Sequence, residues 1–369
     1  MRAALLLLLP AVVQAQAPPP EIDLYTMGPG EEVFTRFGHA AICVTDEKTP
    51  QGRCYNYGTA DFSTPVPLTW SFVRGRALFW VSVQDLPRMV AFYVAQDRTL
   101  YRQRLRLPTE QAQQLAAALE ASTAQSVRFY RYHHFYDNCT TRIRDLLDRV
   151  TGGALSRGAQ TAQGPTFRSY ARSGFAGDLP LLLAAELLLG RSADARTSPW
   201  QAMFLPEVLR REVAARLGAE PEVVYARKAP LPGGSTRLAQ LALGGTGLLL
   251  ALVTLALRRT GRLALAPAAA VLGLGGVLLW GLAVLSSFPE LRWNEALLCL
   301  WPTDLLLPLL PASWLWGYVR VRLVALLALG PLAGAGVLVQ PLLPLVLLTG
   351  LPMATAWYVL ARGAAGTRR

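Results

Sequence analysis

The sequence predicts an α+β domain held outside the cytoplasm and followed by an α-helical transmembrane bundle of about five helices. Three observations carry this. The 369-residue chain changes character near Arg237: turns, charges and aromatic residues are mixed before it, and apolar runs dominate after it. Strand-like and helix-like segments alternate irregularly in the first part, which suits α+β rather than a wound parallel sheet. The chain opens on Arg2, an apolar run from Ala3 to Val13 and then small residues, the pattern of an export signal. The expected division is 1–17 signal peptide, 18–234 extracytoplasmic domain and 235–369 membrane domain. Cleavage after Ala15 is preferred to Ala17, which Pro18 follows; a retained N-terminal anchor is the alternative.

The formal net charge is +12, yet the basic residues are almost all arginine, with only Lys48 and Lys228 as lysines. They are spread along the chain and no base-reading module accompanies them, so nucleic acid is not expected as a partner. Charge close to a membrane surface accounts for the balance.

Phe37 to Thr45 and Arg53 to Gly58 flank a Lys-Thr-Pro-Gln-Gly turn and predict a β-hairpin. If Cys43 faces Cys54, antiparallel pairing sets Ala41 opposite Asn56. His39 and Asn56 then become diagonal neighbours on one face, where an amide can orient an imidazole. The two cysteines are either a disulfide, which an oxidising compartment permits, or two buried thiols. Asn56 read alone is a turn or edge residue. Leu78 to Gln84 predicts a strand, Leu86 to Gln96 a helix, and the alternation of Tyr101 to Leu107 a half-exposed strand. Thr109 caps a helix carrying Ala112, Leu115 and Leu119, and Arg128 to Tyr136 returns as an aromatic-rich strand.

Ile143, Leu146, Leu147 and Val150 then recur at helical spacing, and Gly152-Gly153 supplies the stop. Asn138 is the expected N-cap, which puts Cys139 in the first turn. There the helix dipole favours a thiolate, and unpaired N–H groups can receive an oxyanion. A buried structural cysteine is the other reading of this stretch. Leu179 to Leu189 is too short to span a bilayer and contains Glu186, so it is a core or interfacial helix. Glu207 to Arg216 predicts a charged helix, and Pro230 to Gly234 a linker.

Five membrane segments are expected: Leu238 to Leu257, Leu263 to Phe288, Ala296 to Trp316, Leu323 to Val339 and Leu342 to Leu360. The third is broken by Pro302, Pro308 and Pro311. Arg258, Arg259 and Arg262 follow the first segment, Arg320 and Arg322 the third, and Arg362, Arg368 and Arg369 the fifth. The positive-inside rule puts those ends, including the C-terminus, in the cytoplasm. Phe288 to Glu295 becomes an outer loop, whose Arg292 and Asn294 either meet a phosphate or carbonyl of a substrate or are solvated at the interface. Asp304 falls roughly 13 Å further along a helix, where an ionisable group needs a cavity or a partner. It is a substrate-binding candidate, or else the cap of a turn after a helix break.

A thiol acyl-transfer site needs a nucleophile, a base and an orienter for that base. The histidines are His39, His133 and His134. His39, far from Cys139 in sequence, suits the base; His133 and His134 suit packing or hydrogen bonding. Zinc-ligand spacing is not recognisable, and neither a metal nor a cofactor is expected.

Phe37-Gly38-His39, Tyr55-Asn56-Tyr57-Gly58 with Asp61-Phe62, Tyr130-Arg131-Tyr132, Asp137 to Arg142 (DNCTTR) and Met203-Phe204-Leu205-Pro206 resemble the Lnb family of bacterial lipoprotein N-acyltransferases. The resemblance covers most of Ile22 to Leu217 and extends to Asn294–Leu307 in the membrane part. It implies a circularly permuted papain-like (NlpC/P60-like) periplasmic domain, with the catalytic His before the Cys, in a multi-pass protein of the bacterial inner membrane. It implies that Cys139 takes an acyl chain from a membrane phospholipid as a thioester and passes it to the α-amino group of a lipoprotein's lipidated N-terminal cysteine. His39 would be the base; Asn56 as its orienter is inferred from the hairpin register. Permuted papain-like domains also host peptidoglycan amidases, peptidases and lipid deacylases, so a membrane-bound thiol hydrolase is the alternative. In a non-enzymatic assembly protein, Cys139 would tolerate change to Ser. The sequence leaves open the donor head group and chain position, the true acceptor and the oligomeric state.

Overall fold

The computed structural model describes residues 18–231 and 233–366; the expected signal peptide, and Arg368 and Arg369 of the charged tail, lie outside the described residues. Strands β1 (Glu21–Met27), β2 (His39–Thr45), β3 (Arg53–Thr59), β4 (Leu78–Asp85), β5 (Leu100–Leu105), β6 (Phe129–Arg131) and β7 (Glu222–Tyr225) form one antiparallel sheet, in the order β6-β4-β3-β2-β1-β5-β7. The β2–β3 register sets Cys43 against Cys54 and Ala41 against Asn56, and the two cysteines form a disulfide.

Helices α3 (Thr109–Ala121), α4 (Cys139–Val150) and α8 (Pro206–Leu217) bury Leu115, Leu119, Ile143, Leu147, Leu209 and Val213 against Ile22, Leu24, Ile42 and Tyr55 on one face of the sheet. Helix α2 (Leu86–Ala95) covers the other face through Met89 and Tyr93, beside Tyr25, Ala41 and the disulfide. The short helices α1 (Pro65–Val73), α5 (Phe167–Gly174), α6 (Leu179–Leu188) and α7 (Pro199–Ala202) close the domain. The strand expected over Arg128 to Tyr136 stops at Arg131. Tyr132 to Asn138 instead turns back on itself, closed by mutual backbone bonds between His133 and Asp137 at 2.9 and 3.0 Å. Its rings favour packing over a sheet edge: Phe135 lies on Phe167 and Phe204, and His134 on Phe288.

Among the described residues, four helices are long and apolar enough to cross a membrane: α9 (Leu238–Ala256), α10 (Ala266–Leu285), α12 (Ala312–Gly334) and α13 (Leu343–Gly366), with the single turn α11 (Pro289–Arg292) between the second and third. The five-helix expectation is corrected at its third member. Ala296 to Pro311 forms no α-helix but two 3₁₀ turns, Glu295–Leu298 and Pro302–Leu306. Pro302, Pro308 and Pro311 each remove a backbone donor and clash with the preceding turn. The segment still runs the length of α10 in the opposite direction. Trp280 Nε1 donates to the Leu300 carbonyl at 3.0 Å near one end, and Arg262 Nη1 to the Leu310 carbonyl at 2.6 Å at the other. A Cβ at Gly273 or Gly276 would collide with the backbone of Leu305 or of Trp301 and Pro302, so α10 carries glycine where the irregular chain presses on it.

Because α12 begins directly after Pro311 rather than at Leu323, Arg320 and Arg322 lie inside a helix and not in a loop. Arg322 is fully buried; it donates to both oxygens of Asp304 at 3.0 and 2.8 Å and sits over the Trp301 ring. The ion pair anchors the irregular segment to α12, and Arg322 contributes nothing to a charged loop.

Candidate active site

The pairing of β2 with β3 brings His39 and Asn56 together, and His39 Nε2 lies 3.3 Å from Asn56 Oδ1. An amide oxygen accepts only, so Nε2 carries the ring proton and Nδ1 keeps a free lone pair. Tyr93 stacks on the imidazole with centroids 6.1 Å apart, and the Arg98 guanidinium lies over the Tyr93 ring, 4.9 Å from its centroid. Burial, helped by the Arg98 charge and opposed by the Asn56 bond, lowers the His39 pKa to about 4. His39 is a neutral imidazole at neutral pH.

Cys139 is the first residue of α4 and is buried. Asn138 caps the helix. Its Oδ1 accepts from the Thr140 and Thr141 N–H groups at 2.9 Å each, and the Thr141 hydroxyl accepts from the Asn138 N–H at 2.8 Å. The Asn138 amide nitrogen donates to the carbonyls of His134 and Phe204, fastening the cap to the aromatic turn and to the start of α8. The nucleophile candidate therefore sits on a fully braced helix start. Across from it, Gly58 has φ +82°, and a Cβ there would stand 3.2 Å from the Cys139 Cβ; only glycine lets β3 pass so close.

Two expectations about this helix start are revised. Burial raises the Cys139 thiol above its ordinary value, outweighing the Thr140 hydroxyl, the Ala40 and Thr140 N–H groups and the Arg98 charge that favour the thiolate. At rest Cys139 is thus a thiol and His39 an imidazole, because desolvation opposes both charges. The N–H groups of Thr140 and Thr141 are also taken by Asn138, which leaves the Cys139 N–H as the first-turn donor that the cap does not use.

His39 and Cys139 line one cavity of about 270 Å³. Its walls are aromatic and come from both parts of the chain: Phe34, Phe72 and Phe79 from the sheet domain and Phe288 from the membrane-side loop. Ala184, Ala185 and Leu188 of α6 form another side, and Leu183, Leu187 and Leu188 also pack on the apolar core of the membrane helices. Helix α6 is thus shared between the two parts. The cavity also receives Glu290, on the turn α11, and His134. Sequence reasoning passed over Glu290 and the aromatic walls; an acidic residue two positions after Phe288 in the outer loop was the available signal.

The three expected substrate-binding residues stand elsewhere. Arg292 is exposed and does not line the cavity. Asn294 is buried; it caps the Glu295–Leu298 turn, accepts from the Gln340 amide at 3.2 Å and donates to the Leu187 carbonyl at 2.6 Å. Those bonds fix the outer loop to α6 and leave no group for a phosphate. Asp304 is held by Arg322 and by the Tyr318 hydroxyl at 2.6 Å, within the bundle. Neither side chain is free because each satisfies a backbone or charge that burial would otherwise strand.

Residues 10–173 match the family model described as the Lnb N-terminal periplasmic domain. No curated protein and no solved structure matches the chain.

Proposed function

Because residues 10–173 match the Lnb N-terminal periplasmic domain, we propose that the chain is an inner-membrane lipoprotein N-acyltransferase acting through a Cys139 thioester. The family is lipoprotein N-acyltransferase-like, and four apolar helices make the chain a membrane protein. The observation that carries the specific reading is the cavity: a thiol and an imidazole open into an aromatic-walled space framed jointly by the periplasmic domain and the membrane-side loop. Such a space suits an acyl chain and offers little to a glycan or a polar peptide.

In this reading His39 Nδ1 takes the thiol proton as Sγ of Cys139 attacks the ester carbonyl of a phospholipid. The oxyanion is received by the Cys139 N–H, with the Ala40 N–H directed toward the same sulfur. The ester C–O bond breaks, and His39 returns the proton to the departing lysophospholipid oxygen. A free α-amine of the acceptor then attacks the thioester, the C–S bond breaks, and the amine's proton passes through His39 to the Cys139 sulfur. Asn56 holds the Nε2–H and so keeps Nδ1 facing the reaction. The division at 18–234 and 235–369, the periplasmic placement of the first part and the cytoplasmic C-terminus belong to the same proposal.

Intact-protein mass spectrometry after incubation with phospholipid tests it. A hydroxylamine-sensitive acyl adduct is expected in wild type and in neither Cys139→Ala nor His39→Ala. Absence of the adduct from wild type at short times and low pH would refute the acyl-enzyme, and water instead of an amine as acceptor would make the protein a lipase.

A further inference from the structure

Glu290 is 2% exposed, and its Oε2 makes no hydrogen bond. The other oxygen lies 3.7 Å from His133 Nε2, too long for a full hydrogen bond. His134, beside it, has both ring nitrogens shielded from solvent and unpartnered. Burial first, then His133, lowers the His134 pKa to about 3, so the ring is neutral and presents one lone pair. A buried carboxylate with an idle oxygen is costly unless a ligand completes it. What Glu290 Oε2 and the His134 lone pair lack is therefore a donor of hydrogen bonds, and for the carboxylate a positively charged one.

The ligand atoms of His133, His134 and Glu290 lie within 4.8 Å of one another, close enough for a metal ion. The tautomer of His133 argues against that occupant. Its Nδ1 accepts the Phe135 N–H at 3.2 Å, so the ring proton is on Nε2, and an N–H rather than a lone pair faces Glu290. Two ligands remain, too few for a structural site. A phosphate is excluded by sign. A primary ammonium suits the two acceptors: its N–H groups can meet Glu290 Oε2 and the His134 lone pair. Phe72 and Phe288, whose rings lie 5.8 and 5.5 Å from that of His134, offer aromatic faces to a cation.

We propose that Glu290, with His134 beside it, receives the primary ammonium group that a substrate carries into the cavity next to Cys139. This rests on the acyl-transfer reading and adds to it a residue that selects an amine. Where the ammonium belongs to the acceptor, Glu290 and His134 hold it beside the thioester; it loses one proton to solvent and becomes the free amine that attacks. The ammonium comes either from the acyl acceptor or from an ethanolamine head group on the donor.

The test uses the full chain in nanodiscs and follows the two half-reactions separately, in wild type, Glu290→Gln and Glu290→Asp. Thioester formation is timed with phosphatidylglycerol, phosphatidylethanolamine and phosphatidylcholine donors. Thioester discharge is timed with a diacylated lipopeptide bearing a free α-amine. If the acceptor supplies the ammonium, Glu290→Gln slows discharge about 10- to 100-fold more than it slows acylation from phosphatidylglycerol, the range of a charge-assisted hydrogen bond. Glu290→Asp recovers part of that loss. If the head group supplies it, the selective loss falls on acylation from phosphatidylethanolamine and spares phosphatidylcholine. Equal slowing of all half-reactions, or of none, overturns the role of Glu290 while leaving the thioester intact. A wild-type protein that forms no thioester overturns the acyl-transfer reading itself.

Discussion

The charge states of Cys139 and His39 give the sharpest prediction. His39 sits at about 4 against an ordinary 6.5, so protonating it within the fold costs on the order of 3 kcal/mol more than in water. Burial also holds the thiol above its ordinary 9. Under about 1% of Cys139 is then thiolate at pH 7, and the thiolate fraction grows about tenfold per pH unit. Alkylation by iodoacetamide, followed as mass gain of the detergent-solubilised protein, should accelerate about a hundredfold between pH 6 and 8 and keep rising beyond pH 9. His39→Ala should change that profile only a few-fold while abolishing acylation by phospholipid, because the imidazole is needed as a base and not as a resting counter-ion. The sign for stability follows from the same depressed pKa. Between pH 6.5 and 4 the unfolded chain binds a proton at His39 that the folded chain does not, so stability falls as pH drops through that window. A plateau in the alkylation rate between pH 5 and 8 that disappears in His39→Ala would refute the neutral pair and establish a thiolate–imidazolium.

Three other outcomes are expected. Gly58→Ala places a methyl group 3.2 Å from the Cys139 Cβ at φ +82°, so it should lower stability by about 1 kcal/mol and slow acylation on the order of tenfold or more, read by thermal shift and by adduct kinetics. Arg322→Met strands Asp304 in the bundle and should cost about 3–5 kcal/mol, whereas adding Asp304→Leu should restore most of it; thermal unfolding in one detergent compares the three. Removing the Cys43–Cys54 bond, which closes 11 residues of sequence separation, should cost roughly 3 kcal/mol, and reductant should reproduce the loss in wild type but not in Cys43→Ala/Cys54→Ala.

What was legible in the sequence was local. The hairpin register follows from two cysteines and the period of two along a strand, and it sets Asn56 beside His39. The cap at Asn138 follows from the apolar stripe of α4. Strand β1 was passed over: only Glu21 to Leu24 alternates polar with apolar, too short a run to stand out, while six of its seven residues are buried, Asp23 among them. Asp23 is tolerated there because Arg102 and Arg104 on β5 reach it at 3.1 and 2.7 Å, a pairing that only the sheet order creates. The third membrane segment was read correctly as broken, yet its hydropathy suggested a helix with interruptions. The chain resolves the three prolines by abandoning the helix altogether, which moves Arg322 from an expected loop to the partner of Asp304. The dipole at a helix start is visible in a sequence, but the burial that outweighs it at Cys139 is not.

The placement of Glu290 shows why the outer loop could not be read residue by residue. Glu290, Arg292, Asn294 and Glu295 are near neighbours, and each is a plausible ligand for a lipid head group. Which one faces the cavity is decided by contacts from other parts of the chain. Ser286 and Ser287 donate to the carbonyls of Val73 and Arg74 at the end of α1, which fixes where the loop leaves α10. The Arg191 N–H donates to the Trp293 carbonyl at 3.0 Å, and Asn294 and Gln340 bind the carbonyls of Leu187 and Leu189 at the end of α6. Pinned at both ends, the single turn α11 presents Phe288, Glu290 and Leu291 to the cavity and leaves Arg292 outside. Cys139, His39 and Asn56 belong to the sheet domain, whereas the Glu290 carboxylate and the Phe288 wall belong to the membrane part. A sheet domain cut before α9 would retain Cys139, His39 and Asn56 but lose Glu290 and Phe288. In the acyl-transfer reading, such a fragment keeps its nucleophile but lacks the ammonium site and part of the wall that encloses the chain.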